Sequence, residues 1–451
     1  MNLLDAISTG AVSTYALLSA AYKSMQTVYA SPADLPSTSD GPAGSQLLPS
    51  VDVIIPCYNE GPGTLSACLA SIADQDYAGE LRVYVVDDGS ANRVAVGPVH
   101  DLYALDPRFN FILLPQNVGK RKAQIAAIRR SSGDLVLNVD SDTTLAPDVV
   151  TKLALKMRNP QIGAAMGQLI ASNRNENWLT RLIDMEYWLA CNEERAAQAR
   201  FGAVMCCCGP CAMYRRSALL KVLAQYETQL FRGKLSDFGE DRHLTILMLK
   251  AGHRTEYIPD AIAATVVPDR LRPYLRQQLR WARSTFRDTL LSLRLLPSLD
   301  PYLTLDVVGQ NVGPLLLAVS VSTGIAHLAL TGTVPWWTGI MIAAMTMIRC
   351  SVAAFRAREL RFLGFCLHTP INLFLLLPLK AYALCTLSNS DWLSRDSAAT
   401  VPSGGGKGVA ITNHDVGSRA TDLPDTAAPS RRPTLLREFS TVTSSGIGSQ
   451  E

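Results

Sequence analysis

Residues 135–142 read Leu135-Val136-Leu137-Asn138-Val139-Asp140-Ser141-Asp142, an apolar run that ends in two carboxylates spaced i and i+2. A short, β-branched apolar run of this kind is the signature of a strand buried on both faces, as in a parallel sheet. Open α/β sheets bind their ligands beyond the carboxyl ends of their strands. Asp140 and Asp142 stand at such an end. Together they suit a hard divalent cation, Mg²⁺ or Mn²⁺, which would bridge to phosphate oxygens. By itself the D-x-D pattern is weak, since acidic residues in loops are usually only solvated.

Working outward, the same texture repeats. Val51–Pro56, Leu81–Val86 and Phe111–Leu114 are further short apolar runs, and 65–75, 119–130 and 147–158 carry apolar residues at helical spacing. Strands alternating with helices predict a parallel sheet covered on both faces across residues 51–265. Each strand leads into a polar cluster: Pro56–Glu60, Val86–Ser90 with Asp87 and Asp88, and Asn117–Lys122 with Gly119, Lys120 and Arg121. A glycine turn followed by three cations at a helix N-terminus is suited to phosphate. One such cluster means little, but four at successive strand ends describe a nucleotide-diphosphate pocket with a metal. Further on, Asp237, Glu240 and Asp241 precede the helical run Leu244–Lys250. A carboxylate can serve as a general base, yet the pattern alone fits helix capping equally well or better.

The flanks carry different chemistry. Residues 1–30 hold a modestly apolar stretch, Leu3–Tyr22, that precedes the first basic residue, Lys23. That order favours a membrane anchor over a cleaved signal, although the TVYASP sequence at 27–32 leaves cleavage open. Residues 31–50, rich in Pro, Ser and Gly, read as a linker. Residues 266–300 are basic and amphipathic, and charge alone does not choose between a helix on a membrane surface and a solvated helical face. Residues 301–390 hold three apolar segments (309–331, 336–355 and 362–387), each long enough for a bilayer core. The basic connection 356–361 belongs on the cytoplasmic side. This places residues 51–265 in the cytosol and the end of the third segment outside. Arg349 and Lys380, inside apolar segments, are expected to face the interior of the bundle or a polar channel. Residues 391–451 read as a disordered tail.

Bulk properties narrow the classes. Hydrophobic residues make up 48% of the 451, and a net charge of +3 is too small to imply nucleic-acid binding. Among the ten cysteines, Cys206, Cys207, Cys208 and Cys211 cluster without a repeated metal-type spacing. Reduced, packed thiols are the reading favoured over a disulfide framework or a metal site.

In order along the chain, the motifs DDGS, NVGKRKA, VDSD, CGPCAMYR, GEDRHLT and QQLRW resemble those of the processive family-2 glycosyltransferases. These include cellulose, chitin and hyaluronan synthases and, most similar here, the rhizobial nodulation-type chito-oligosaccharide synthases. The resemblance spans about 51–290 together with the membrane arrangement, and implies a GT-A (Rossmann-like) cytosolic domain between an N-terminal anchor and C-terminal transmembrane helices at the bacterial inner membrane.

The resemblance also assigns roles. Asp87 and Asp88 match the family's uridine-contacting pair, and Lys120 and Arg121 match basic residues near the nucleotide. Asp140 and Asp142 match the D-x-D at which metal bridges the donor diphosphate. Asp241, with Glu240 beside it, matches the catalytic base. Gln277, Gln278, Arg280 and Trp281 match the Q-x-x-R-W region that holds diphosphate and positions the acceptor. Gly209 and Pro210 match a loop near the acceptor terminus.

The activity implied is inverting β-1,4 transfer of N-acetylglucosamine from UDP-N-acetylglucosamine to a growing chito-oligosaccharide, the backbone of a lipochito-oligosaccharide nodulation signal. The alternatives are a hyaluronan- or chitin-type synthase and, in another class, a transporter that merely binds sugar nucleotide. Three or four spans are few for a transporter.

Overall fold

The structure, a computed structural model, describes residues 3–30, 48–236, 238–333 and 336–389. Most of the expected linker, the expected tail and Asp237 lie outside the described residues.

The runs read as strands form the heart of the sheet. In chain order the strands are β1 (Val51–Cys57), β2 (Leu81–Asp87), β3 (Phe109–Leu113), β4 (Leu135–Asn138), β5 (Thr143–Leu145), β6 (Ile162–Ala171), β7 (Ala212–Arg215), a small hairpin of β8 (Leu230–Phe231) and β9 (Lys234–Leu235), and β10 (Arg254–Thr265). Eight of them make one sheet in the order β3-β2-β1-β4-β7-β6-β10-β5. β1 pairs in parallel with β2 and β4, and β2 in parallel with β3. All seven residues of β1 are buried, as expected of a mostly apolar strand inside a parallel sheet. Its one charge, Asp52, is satisfied by Arg82 at 2.8 Å and by the backbone N–H groups of Ser132 and Gly133.

The sheet is mixed, not parallel throughout. β7 runs antiparallel to both β4 and β6, and β5 antiparallel to β10. The long strands β6 and β10 carry many Ala and Gly residues among their β-branched ones, which hides them from a reading based on apolar runs. The parallel half still delivers its polar turns to one edge, and that is where the site forms.

The helix Leu3–Tyr29 runs antiparallel to Pro301–Thr331. Ser8 bonds the carbonyl of Ser320 at 3.4 Å, and the Tyr22 hydroxyl donates to Asp306 at 2.8 Å. Asp306 also accepts from Gln198 at 2.7 Å, which ties the pair to the α/β domain. Three helices (Pro301–Thr331, Trp336–Ala357 and Leu360–Cys385) are long and apolar enough to cross a membrane.

The basic connection after Trp336–Ala357 lies against the α/β domain. Arg356 donates to the carbonyls of Ala30 and Asn192, and Arg361 lies 2.7 Å from Asp184. From there Phe362 and Phe365 pack on Leu182, Met185 and Leu189, and Leu376 packs on Leu179 and Tyr274. At the far end Thr386 accepts from Arg283. The near end of this last segment therefore touches residues 179–189, and its far end touches Arg283 on the helix Leu271–Ser292.

The basic amphipathic region forms the helix Leu271–Ser292. Its arginines do not all face outward. Arg283 is 2% exposed, and Arg287 is buried over the Phe238 ring, donating to Ser236 at 2.9 Å. The helix contacts the helix Glu240–Lys250 on one side and the last apolar segment on the other, so Arg283 and Arg287 face protein.

Candidate active site

Two acidic motifs meet across one lysine. Lys120 opens the helix Lys120–Ile128 just after the left-handed Gly119, and its ammonium lies 2.6 Å from Asp140 and 2.9 Å from Glu240. Gly209 stands over this bridge. A Cβ there would come within 2.9 Å of the lysine Nζ, so glycine leaves the ammonium its space. Asp142 is oriented from the neighbouring strand by Thr265, at 3.2 Å, and Ser141 between the two aspartates donates to buried Glu60 at 2.7 Å. Asp140 and Asp142 are the oxygen donors available for a divalent cation. The lysine already drawn onto Asp140 shows that this position attracts positive charge, so the residues fit such an ion.

Asp87 and Asp88 are buried at the end of β2. Asp87 accepts from Ser90 N–H at 2.8 Å and from Arg93 at 3.0 and 3.1 Å. Burial would raise its pKa, but Arg93 and Ser90 outweigh that cost and hold the carboxyl below its ordinary value. Asp88 accepts the N–H groups of Val118 and Gly119 at 2.8 and 2.9 Å, fixing the turn before Lys120. Gly89 joins them with φ of 71°, and a Cβ there would lie 2.3 Å from the backbone of Gln116. No side chain fits.

Glu240 and Asp241 open the helix Glu240–Lys250 after Gly239, whose φ is 82°. The two carboxylates are driven apart. Burial would raise Glu240, but the attraction of Lys120 overrides it and holds the group at about 2. Asp241 is raised, first by burial and then by the fixed negative charge of Glu240. It accepts from the N–H of Arg242 at 2.8 Å and of Gly209 at 3.3 Å. One carboxylate is a permanent anion and its neighbour a more basic one, the division of labour that acid–base chemistry exploits.

The Q-x-x-R-W residues come from the helix Leu271–Ser292. Arg280 shares its surroundings with Glu240, Asp140 and Asp241, whose charges offset part of the cost of burying its cation. Oε1 of Gln277 is buried without a hydrogen-bond partner among the described residues, and the Gln278 side chain bonds to Glu186. Trp281 is 36% exposed, its ring 6.4 Å from that of Tyr187. These are open polar and aromatic groups beside a charged cleft. Pro210 continues the loop from Gly209 as a short 3₁₀ turn ending at Cys211.

One expected residue lies elsewhere. Arg121 is buried behind the cleft, donating to the Tyr226 carbonyl at 2.8 Å and to Gln229 at 2.5 Å, with His243 at 3.3 Å. Consecutive helical residues point about 100° apart, so Lys120 and Arg121 cannot both face the same ligand. Glu60 belongs to the polar cluster after β1, whereas Arg93 and Tyr187 carry no motif signal in the sequence. Arg93 is six residues from its partner Asp87, and only the turn geometry reveals it.

Residues 52–223 match the family described as glycosyl transferase family 2. An N-acetylglucosaminyltransferase of Rhizobium sp. (strain N33) is 73% identical over 440 residues, covering 98% of this chain and 97% of that protein. The chain belongs to glycosyl transferase family 2. A second N-acetylglucosaminyltransferase, from Sinorhizobium fredii, is 77% identical over 404 residues, covering 90% of this chain and 98% of its own length.

Among solved structures, a mannosyltransferase from Pyrobaculum calidifontis in complex with GDP-Man and Mn²⁺ aligns with a TM-score of 0.58 at 20% identity, covering 83% of this chain and 99% of that one. That likeness concerns the fold, GT-A-like with a mixed sheet. As a family-2 glycosyltransferase the protein is a hexosyltransferase, and the acidic cleft around Lys120 is its candidate active site.

Proposed function

We propose that the protein is an inverting N-acetylglucosaminyltransferase. It takes the sugar from UDP-N-acetylglucosamine and joins it by a β-1,4 linkage to the nonreducing end of a chito-oligosaccharide, the backbone of a lipochito-oligosaccharide nodulation signal. The observation that carries this reading is the Lys120-centred pairing of Asp140 with Glu240, with the raised Asp241 beside it. The naming of the relatives supports the choice of sugar.

The residues divide the work as follows. Asp241 accepts the proton of the attacking 4-hydroxyl as the new C1–O bond forms and the bond from C1 to the diphosphate breaks. Burial and the neighbouring Glu240 charge raise its pKa, which makes it the more basic of the two carboxylates. Lys120, held between Asp140 and Glu240, and Arg280, close to the same carboxylates, are positioned to receive the negative charge of the departing UDP. Such preorganised charge is usually the largest catalytic contribution. A divalent cation held by Asp140 and Asp142 would supply further charge stabilisation at the diphosphate. Gln277 offers an unpaired polar atom to sugar or phosphate, Gln278 lies beside it, and Trp281 offers an apolar ring face to a pyranose.

We place the catalytic domain on the cytosolic side of the inner membrane. Lys23, Arg356 and Arg361 gather at that end of the helices, as basic residues do on the cytoplasmic side, and buried Glu193 lies 3.9 Å from Lys23 and 3.8 Å from Arg356.

The test is incorporation of labelled N-acetylglucosamine by membranes containing the protein, with and without UDP-glucuronic acid, followed by sizing and chitinase digestion. Short, chitinase-sensitive products indifferent to glucuronate are expected. A polymer that forms only with both donors would replace this reading with a hyaluronan-type synthase.

A further inference from the structure

The cysteine cluster has a geometry that transfer itself does not call for. Sγ of Cys206, Sγ of Cys208 and a carboxylate oxygen of Asp241 all lie within 4.8 Å of one another. Buried Cys207, between them, donates its N–H to Thr245 at 2.9 Å and pins the strand-like stretch. Both flanking thiols are only half-buried. Arg195 brackets the pair, with Nη2 3.1 Å from the Cys208 sulfur and Nε donating to the Cys206 carbonyl at 3.3 Å. Each oxygen of Asp241 takes a single backbone N–H, which leaves lone pairs for a further ligand.

We propose that Cys206, Cys208 and Asp241 form a binding site for a thiophilic divalent cation of the zinc type, separate from Asp140 and Asp142, and that its occupancy silences transfer. The inhibitory part rests on Asp241 being the base. Binding releases the thiol protons to solvent, and three anionic ligands each donate an electron pair to the metal with no change of oxidation state. The complex carries one net negative charge, which Arg195 offsets at its edge.

Tetrahedral zinc sets ligand–ligand edges of roughly 3.5–3.8 Å, so a side-chain adjustment of about 1 Å closes the site. Soft sulfur ligands favour this ion over Mg²⁺. With its lone pair committed to the metal, Asp241 can no longer accept the acceptor proton.

Cadmium, whose thiolate complexes absorb in the ultraviolet, is the probe. Titrated into the purified full-length protein, it is expected to give a saturating charge-transfer band that is lost in the C206S/C208S variant. The band should persist in D140N and require about tenfold more cadmium in D241N, which lacks one ligand. In parallel, zinc added to the Mg²⁺-supplied transferase is expected to inhibit, reversibly by chelator, with C206S/C208S at least about tenfold less sensitive.

No cadmium band in the unmodified protein, or undiminished zinc inhibition of the double variant, overturns the proposal. Should the double variant not fold, C208S alone is titrated in its place, and an unweakened band there is equally contrary. The absorbance does not depend on catalysis, so it stands or falls apart from the role given to Asp241.

Discussion

The ammonium of Lys120 lies 2.9 Å from the carboxylate of Glu240, spanning the gap between the turn after β3 and the start of the helix Glu240–Lys250. Lys120 also lowers the pKa of Asp241. In Lys120→Met both acids lose this attraction and their pKa values rise. Asp241 must be ionised to accept a proton, so activity should fail at a higher pH as the medium is acidified. The acidic limb of a kcat/KM profile is expected to move upward, with kcat/KM reduced about 10²-fold or more. An unmoved limb would show that Lys120 and Asp241 are not coupled.

Gly209 is the companion to that bridge. In Gly209→Ala the new methyl meets the mobile end of Lys120, which can move aside. The fold should survive with an unchanged melting temperature, while the lysine is displaced from Asp140 and the KM for donor rises. A fall in kcat with KM unchanged would speak against Lys120 contacting the donor.

Gly89 is the contrasting case. Its φ is 71°, and a Cβ would run into the backbone of Gln116 and Asn117, which cannot yield as a side-chain tip does. Gly89→Ala is expected to destabilise by about 2 kcal/mol or more, seen as a lowered midpoint in thermal unfolding of the detergent-solubilised protein.

At the membrane end, Glu193 is buried between Lys23 and Arg356, each at nearly 4 Å. Glu193→Ala leaves two cations facing each other with no anion between them. Faster proteolysis between the catalytic domain and the helices is expected, with UDP binding intact. Unchanged cleavage would mean that the carbonyl bonds of Arg356 hold this junction alone.

The sequence made the parallel half of the sheet legible because β1, β2 and β4 are rich in Val, Ile and Leu, with single charges at Asp52 and Arg82, and lead into polar turns. β6 and β10 escaped because Gly167, Ala263 and Ala264 dilute their β-branched residues, and β7 because it is only four residues long. Asp140, Asp241 and Lys120 were each visible as motif members, yet nothing in their spacing foretold that one ammonium joins the first to Glu240. Arg121 shows the converse: adjacency in sequence is divergence on a helix. The inward-facing Arg283 and Arg287 were hidden because periodicity marks apolar residues as the packed face, and here guanidinium groups reach Thr386, Ser236 and the Phe238 ring instead.

The most direct test of the account is the Asp241→Asn variant, assayed for both turnover and nucleotide affinity. Asparagine preserves the shape and removes the proton acceptor. Incorporation of N-acetylglucosamine is expected to fall by about 10²–10⁴-fold, with UDP binding measured by calorimetry unchanged within a few-fold. Turnover that persists in this variant would contradict the assignment of Asp241 as the base.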